Sequence, residues 1–202
     1  MKTRHYSIKD KDLISKEIKD GKLIAIPTDT VYGLAASSNN SENYIKLVKA
    51  KGRPENKPFP LMVSNLEQIA AIAIIGERER HLIEKFMPGA VTFIFKRRPD
   101  VFEFLEGFDT IGIRMADDVW VQEVIEESGS PIWLPSANLS GLDTALNSDM
   151  VLEQLEGRID GVVLGHSGAQ ESSSVFDLSK ETITVLREGK LKLESILEEA
   201  ME

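Results

Sequence analysis

The sequence contains no cysteine and only three histidines, which narrows the chemistry open to it. Without cysteine, neither a disulfide framework nor a thiolate zinc site can form. The absence also fits a reducing compartment, and we expect a cytoplasmic protein. The histidines are scattered at positions 5, 81 and 166, without the spacing of metal ligands. We therefore expect no metal site built from protein side chains.

Long apolar runs are missing as well. The N-terminal segment MKTRHYSIKDKD is polar and no apolar run follows it, so we expect no signal peptide. No stretch approaches the roughly 20 apolar residues of a membrane span, so we expect no membrane partner. A length of 202 residues, 42% hydrophobic and 28% charged, is ordinary for a globular protein and predicts one domain over residues 1–202.

The standard phosphate-binding and nucleophile motifs are absent too. The chain has no G-x-x-x-x-G-K-[ST] loop, no G-x-G-x-x-G after a strand and no G-x-S-x-G elbow. A net charge of -9 argues against non-specific coating of nucleic acid but leaves a local nucleotide site open. Any chemistry must then rest on basic groups, hydroxyls and amides.

One basic stretch stands out from this acidic background. Residues 46–58, KLVKAKGRPENKP, carry five basic side chains and one acidic side chain, a local charge of +4 (five minus one). A dense field of one sign is typical of an anion site. A solvated basic helix surface explains the charge equally well and is the commoner case. Gly52 and Pro54 predict that the second half is a loop.

Helical periodicities and short apolar runs interleave irregularly along the chain. We predict strands at 22–27, 31–36, 59–64, 91–97, 110–114, 131–135, 161–165, 174–178 and 182–187. Helices are predicted after a cap at Ser7 up to Gly21, after caps at Ser41 and Ser148, and over 66–75, 77–86, 117–128 and 191–202. Residues 100–108 are open between helix and loop. Because the last strands cluster without helices between them, the pattern predicts an α/β, α+β-like fold with a twisted mixed sheet flanked by helices.

Four polar loops each follow an apolar strand: 27–30 (PTDT), 51–57, 135–138 (PSAN) and 168–174. Functional groups concentrate on loops held by a rigid scaffold, although Ser, Thr and Asn are also common turn formers. Arg114 lies in the apolar strand TIGIR; pointing inward it needs an anionic partner, and pointing outward it needs none. Together these groups suit anion binding and a reaction driven by positioning, such as transfer at a nucleotide phosphate.

The order of motifs resembles the YrdC-type family of threonylcarbamoyl-AMP synthases, in its short, single-domain form. The motifs are IPTDTVYGL, KGRPENKP, PGAVTFIF, TIGIR, PSANLSG, SSSVFDL and LREG, spread from Ile26 to Gly189. The resemblance implies a basic central cavity, no second C-terminal domain, and synthesis of threonylcarbamoyl-AMP and pyrophosphate from L-threonine, bicarbonate and ATP. It also implies Mg²⁺ bound with ATP, and a downstream threonylcarbamoyl-transferase complex that modifies tRNA next to the anticodon.

The resemblance assigns individual residues as well. The catalytic residues it implies are Lys51, Arg53, Ser136 and Asn138. The residues that it implies for ATP binding are Arg53, Lys57, Thr110, Ser136, Thr144 and Arg187. The residues that it implies for threonine binding are Thr30, Tyr32, Arg114 and Ser173. The sequence departs from the family pattern where Asp117 and Asp118 replace a common Pro and His, and where Met62 replaces a His found in some members.

Two other interpretations belong to different classes. The first is a non-catalytic relative of the same fold that binds RNA or nucleotides, and the second is a carbamoyl-transfer domain of the hydrogenase-maturation type. The presence of both the Lys-x-Arg and the Ser-x-Asn sets favours the enzyme over the first. The lack of zinc-finger and acylphosphatase parts disfavours the second.

Overall fold

The computed structural model describes residues 2–52, 58–168 and 171–200. The strands in these ranges are β1 (Arg4–Tyr6), β2 (Ile24–Ile26), β3 (Gly33–Ser37), β4 (Leu61–Met62), β5 (Ala73–Ile74), β6 (Val91–Arg97), β7 (Thr110–Arg114), β8 (Ile132–Trp133), β9 (Gly161–Val163), β10 (Ser174–Asp177) and β11 (Thr184–Arg187). The helices are α1 (Lys11–Lys19), α2 (Ser41–Lys51), α3 (Leu66–Ile72), α4 (Glu77–Phe86), α5 (Val119–Ser128), α6 (Ser148–Leu155) and α7 (Leu193–Glu199), with a 3-10 turn at Ile8–Asp10.

These strands form one mixed sheet. Its order is β1-β9-β2-β3-β8-β4-β7-β6-β10-β11, and β5 pairs with the end of β6. The pairs β1–β9, β2–β9, β4–β7 and β6–β10 are parallel, and the others are antiparallel. The predicted fold class, a mixed sheet flanked by helices, is confirmed.

Apolar side chains on both faces of the sheet explain why it carries helices on both sides. Successive residues of a strand point to opposite faces. In β2, Ile24 and Ile26 pack in one buried cluster with apolar residues of α1 and α5, whereas Ala25 packs in the larger cluster on the other side. In β8, Ile132 belongs to the first cluster and Trp133 to the second. Every helix in the described ranges is too short or too polar to cross a bilayer.

Two of the three predicted helix caps are wrong by one residue. The capping box of Ser7 and Asp10 is confirmed, since Asp10 accepts the Ser7 N–H at 2.7 Å. Asn40 caps α2 and Asn147 caps α6, in place of Ser41 and Ser148. Both asparagines have extended backbone and accept the N–H three residues ahead, as an N-cap side chain does. The serines fall in the first helical turn.

The predicted helix over 66–75 is too long. The helix ends at Ile72, and Ala73 and Ile74 pair with Arg97 and Lys96 as β5. The end of β6 offers unpaired backbone groups at this edge, and extended Ala73–Ile74 satisfies them. Residues 100–108, left open, form turns. By contrast, α4 and β6 have the predicted bounds.

Candidate functional site

A cavity of about 380 Å³ lies where three of the predicted polar loops meet. The 27–30 loop after β2, the 135–138 loop after β8 and the described end of the 168–174 loop before β10 all contribute to it. Strands β6, β7 and β11 add further side chains. The polar residues that line it include Thr28, Thr30, Tyr32, Thr92, Thr110, Arg114, Ser136, Ser172, Ser173 and Arg187. Three of the four polar loops therefore converge on one cavity, and residues 53–57 of the fourth lie outside the described residues.

The charged side chains in the described lining of the cavity are all cationic, although the chain is acidic. Among the lining residues that the structure describes, the charged ones are Arg114 and Arg187, and none is a carboxylate. Desolvation at the cavity wall lowers the pKa of the Arg187 guanidinium from its usual value. An arginine pair in a protein of net charge -9 makes this cavity the natural place for an anionic ligand.

Arg114 points inward, which settles the alternatives that the sequence left open. Its side chain is 7% exposed, and Nη2 lies 2.6 Å from both carboxylate oxygens of Asp29. Its Nη1 donates to Thr30 Oγ1 at 2.7 Å, and its Nε donates to the Gly89 carbonyl at 3.0 Å. The required anionic partner is thus Asp29 of the PTDT loop, which sequence reasoning did not assign. The signal was present, because Asp29 is the acid of that loop.

The PTDT turn directs the Asp29 and Thr30 side chains to different contacts. Thr28 Oγ1 accepts the Thr30 N–H at 3.1 Å and donates to the Val31 carbonyl at 2.8 Å, a local turn closed by a hydroxyl. This turn places Thr30 in the cavity wall and Asp29 against Arg114. Burial raises the pKa of the Asp29 carboxyl, while the charge of Arg114 and the N–H of Asp117 oppose that rise.

Lys51 is the last residue of α2 and is 3% exposed, so its predicted place in the 51–57 loop is wrong. The helix continues through Lys51 because Gly52, which adopts a left-handed conformation (φ 59°), ends it one residue later. Lys51 Nζ donates to the carbonyls of Ser136 at 2.5 Å and Asn138 at 2.8 Å. The Ser136 hydroxyl donates to Asn138 Oδ1 at 2.5 Å. Three of the four predicted catalytic residues are therefore in contact.

A second cluster of polar side chains joins β6, β11 and the loop before β10. Arg187 donates from Nε to the Ser173 carbonyl at 2.8 Å and from Nη2 to Ser173 Oγ at 3.2 Å. Ser173 Oγ lies 3.0 Å from Thr92 Oγ1. Sequence reasoning missed Thr92, although a threonine inside the apolar strand VTFIFKR was a detectable signal. These contacts link Ser173, predicted to bind the substrate threonine, with Arg187, predicted to bind ATP.

The remaining predicted residues have different positions. Thr110 lines the cavity, and so does Tyr32, whose hydroxyl donates to the Val163 carbonyl at 2.9 Å. Asn138 lies behind Ser136 rather than among the described lining residues, and Thr144 lies half-buried in the segment before α6. Arg53 and Lys57 are outside the described residues. Of the departures from the family pattern, Met62 lines the cavity and Asp118 caps α5.

A family comparison covers most of the chain. The Sua5/YciO/YrdC family model, described as "Telomere recombination", matches residues 16–189. The chain belongs to the Sua5/YciO/YrdC family. Within the Sua5/YciO/YrdC family, it is 34% identical over 183 residues to a threonylcarbamoyl-AMP synthase of Bacillus subtilis, covering 89% of this chain and 53% of that protein. It is 34% identical over 182 residues to the enzyme of that name from Pyrococcus abyssi, covering 89% of this chain and 54% of that protein.

A solved structure supports the same placement. The crystal structure of Pyrococcus abyssi Sua5 complexed with L-threonine superimposes with a TM-score of 0.89 at 31% identity. The match covers 98% of this chain and 59% of that one. The chain thus spans about half the length of the two curated relatives, and its fold is that of one part of a Sua5 protein.

Proposed function

We propose that the chain is a nucleotidyltransferase that makes L-threonylcarbamoyladenylate and pyrophosphate from L-threonine, bicarbonate and ATP. The observation that carries this proposal is the cavity, in which Arg114, Arg187 and Ser136 come together in a chain of this family. Its relatives from B. subtilis and P. abyssi are named threonylcarbamoyl-AMP synthases, and the P. abyssi protein has been crystallised with L-threonine.

In this proposal the amino acid binds at the Arg114 side of the cavity. The Nη1 N–H that has no acceptor among the described residues can donate a charge-assisted hydrogen bond to the threonine carboxylate. Such a bond is about twice as strong as a neutral one. Thr30 Oγ1 already contacts Arg114, so its hydroxyl lies beside the expected carboxylate. Tyr32 and Ser173 supply the rest of the wall around the substrate. The hydroxyls of Thr30 and Ser173 and the aromatic ring of Tyr32 suit a small, zwitterionic ligand.

The nucleotide binds through the remaining polar groups. We assign Thr110, Ser136, Thr144 and Arg187 to ATP, together with Arg53 and Lys57, for which the sequence is the only support. Lys51 places its positive charge directly behind Ser136. From there it can stabilise charge that develops on the α-phosphate, as pre-positioned dipoles and charges do in transferases. The threonine amine and bicarbonate first condense to a carbamate, and one water is lost. A carbamate oxygen then attacks the α-phosphorus, the bond between that phosphorus and the oxygen bridging to the β-phosphate breaks, and pyrophosphate leaves.

Mg²⁺ enters with ATP in this account. Among the described residues, no three His, Asp or Glu side chains are grouped to hold a metal. The residues present therefore suit an ion that keeps phosphate and water ligands, which is the usual state of Mg²⁺ on a nucleotide. We further propose that the adenylate passes, in the cytoplasm, to a threonylcarbamoyl-transferase complex that modifies tRNA next to the anticodon.

Pyrophosphate release tests the proposal. The protein is incubated with Mg²⁺, ATP, L-threonine and bicarbonate, and parallel reactions omit one component each. We expect release that requires both threonine and bicarbonate. Release without threonine would indicate a simple nucleotide hydrolase, and no release together with retained RNA binding would indicate the non-catalytic relative. Either result contradicts the proposal.

A further inference from the structure

Asp29 holds the guanidinium of Arg114 from behind. It is not among the described residues that line the cavity, yet both its oxygens lie 2.6 Å from Arg114 Nη2. Its side chain is 14% exposed and that of Arg114 is 7% exposed, so water screens this pair only weakly. A contact this close between two buried groups must influence what Arg114 can bind.

Three acceptors fix the orientation of the Arg114 plane. The Asp29 carboxylate accepts from Nη2, Thr30 Oγ1 accepts from one N–H of Nη1, and the Gly89 carbonyl accepts from Nε. A guanidinium is planar, so bonds in three directions define both its position and its tilt. Among the described residues, the second N–H of Nη1 has no acceptor. That N–H is therefore a donor held in one direction at the cavity wall.

Asp29 itself is held firmly by its surroundings. Its carboxylate accepts the Asp117 N–H at 3.3 Å, which ties the loop after β2 to the segment after β7. On the other side the backbone of Gly168 packs closely, since a Cβ at that position would lie 3.0 Å from Asp29 Cα. Asp29 can therefore transmit a fixed position to Arg114.

We propose that Asp29 is the positioning residue of the amino-acid site: it orients Arg114 to receive the carboxylate of the substrate. This inference rests on the proposed function for the identity of the substrate. Asp29 acts through Arg114 and does not touch the ligand, so its removal should weaken amino-acid binding and leave nucleotide binding intact.

A charge effect and an orientation effect of Asp29 predict opposite changes in threonine affinity when Asp29 is replaced, so the measurement distinguishes them. If neutralising Arg114 were the main effect of Asp29, its removal would raise the local positive potential and strengthen carboxylate binding. If orientation dominates, as the three-point geometry indicates, a freed guanidinium must be ordered again each time a ligand binds, and affinity falls.

Calorimetric titration with L-threonine alone measures the effect without requiring catalysis. For Asp29→Asn we expect a dissociation constant about tenfold higher than in the wild type, or about 1.4 kcal/mol. Asp29→Glu restores the charge at a slightly different position, and we expect a loss of roughly threefold. The matched control is Glu123→Gln, which removes a surface carboxylate 2.7 Å from Lys11. This variant should change neither the threonine nor the ATP dissociation constant. The ATP dissociation constant should stay within about twofold throughout.

A double-mutant cycle shows whether Asp29 acts through Arg114. Lysine cannot reproduce the guanidinium fork, so in an Arg114→Lys background Asp29→Asn should have little further effect on threonine binding. A merely structural role would instead weaken the binding of threonine and of ATP equally. Should Asp29→Asn not fold, Asp29→Glu decides the matter, with weakened threonine and unchanged ATP binding expected.

Three results would overturn the inference: unchanged or tighter threonine binding in the Asp29 variants, equal weakening of threonine and ATP, or full additivity in the cycle. Failure of the proposed function has a different signature. If the wild type binds threonine but releases no pyrophosphate, the proposed reaction is wrong and the binding ratios still decide the role of Asp29. A wild type that does not bind threonine contradicts both.

Discussion

Two buried basic side chains are held in different ways: Arg114 lines the cavity, and Lys51 contacts the lining residue Ser136. Arg114 is compensated by Asp29, so its charge is paired before any ligand arrives. Lys51 donates to carbonyl oxygens of the 135–138 loop and thereby fixes the shape of that loop. Removing a partner from a buried charge or carbonyl costs the desolvation energy of the group left behind. Replacing either residue should therefore lower the free energy of unfolding as well as disturb the site.

Replacing Lys51 by methionine tests this link. The change keeps the length of the side chain but removes the donors for the Ser136 and Asn138 carbonyls. We expect turnover to fall at least tenfold, about 1.4 kcal/mol in the barrier. We also expect a loss of about 1–3 kcal/mol in the free energy of unfolding. Steady-state pyrophosphate release and urea unfolding measure the two effects.

Lys49→Met is the matched control, because Lys49 lies on the same helix and is exposed. It should alter neither turnover nor the free energy of unfolding. Normal turnover in Lys51→Met would mean that the catalytic role assigned to Lys51 is wrong.

At the scale of elements, Arg78 lies outside the cavity but contacts the β10–β11 hairpin, which contributes to the cavity wall. Arg78 of α4 donates to three carbonyls in the connection between β10 and β11: Glu181 at 2.6 Å, Lys180 at 2.9 Å and Leu178 at 3.0 Å. The other end of this hairpin carries Arg187, with Ser173 directly before β10. The α4 helix thus supports the cavity wall from a distance.

Arg78→Ala should loosen that hairpin. With three carbonyls losing a charged donor that is partly exposed, we expect the free energy of unfolding to fall by about 2 kcal/mol. Hydrogen exchange should speed up in residues 174–187, and the KM for ATP should rise several-fold because Arg187 loses its fixed position. Arg80→Ala on the same helix is the control, since the Arg80 side chain is exposed and lies 3.9 Å from Glu84 at the surface. Unchanged exchange in the hairpin would contradict the assigned support.

Element patterns also show what the sequence can and cannot predict. The bounds of α4 and β6 follow from the chain, because Gly76 and the Pro88–Gly89 pair delimit them and the patterns between are regular. The strand β5 does not follow, because Ala73–Ile74 is extended only through pairing with β6. The position of Lys51 was missed for a similar reason, since one glycine decides where the helix stops. An inward-pointing Arg114 requires an anionic partner, but its direction and the identity of the partner both depend on the fold.

At the scale of the whole molecule, the order of the sheet brings distant segments together. Strand β9 lies between β1 and β2, although more than a hundred residues separate it from both in the chain. Local patterns contain no information about such neighbours, so the order of strands could not be derived from them. The order of motifs from Ile26 to Gly189 did indicate the family, and the family match over 16–189 confirms it.

The separation of charge is also a property of the whole chain. The net charge is -9, yet the described lining of the cavity holds two arginines and no carboxylate. The negative net charge disfavours non-specific contact with nucleic acid, and the lining arginines favour a small anion. This distribution supports a nucleotide substrate more than a role in binding long RNA.

The origin of the transferred carbon tests the proposed reaction most directly. The protein is incubated with Mg²⁺, ATP, L-threonine and ¹³C-labelled bicarbonate, and the nucleotide product is analysed by mass spectrometry. We predict an adenylate that contains threonine and one labelled carbon, formed together with pyrophosphate. An adenylate of threonine without the label, or nucleotide breakdown that does not depend on threonine, would contradict the account.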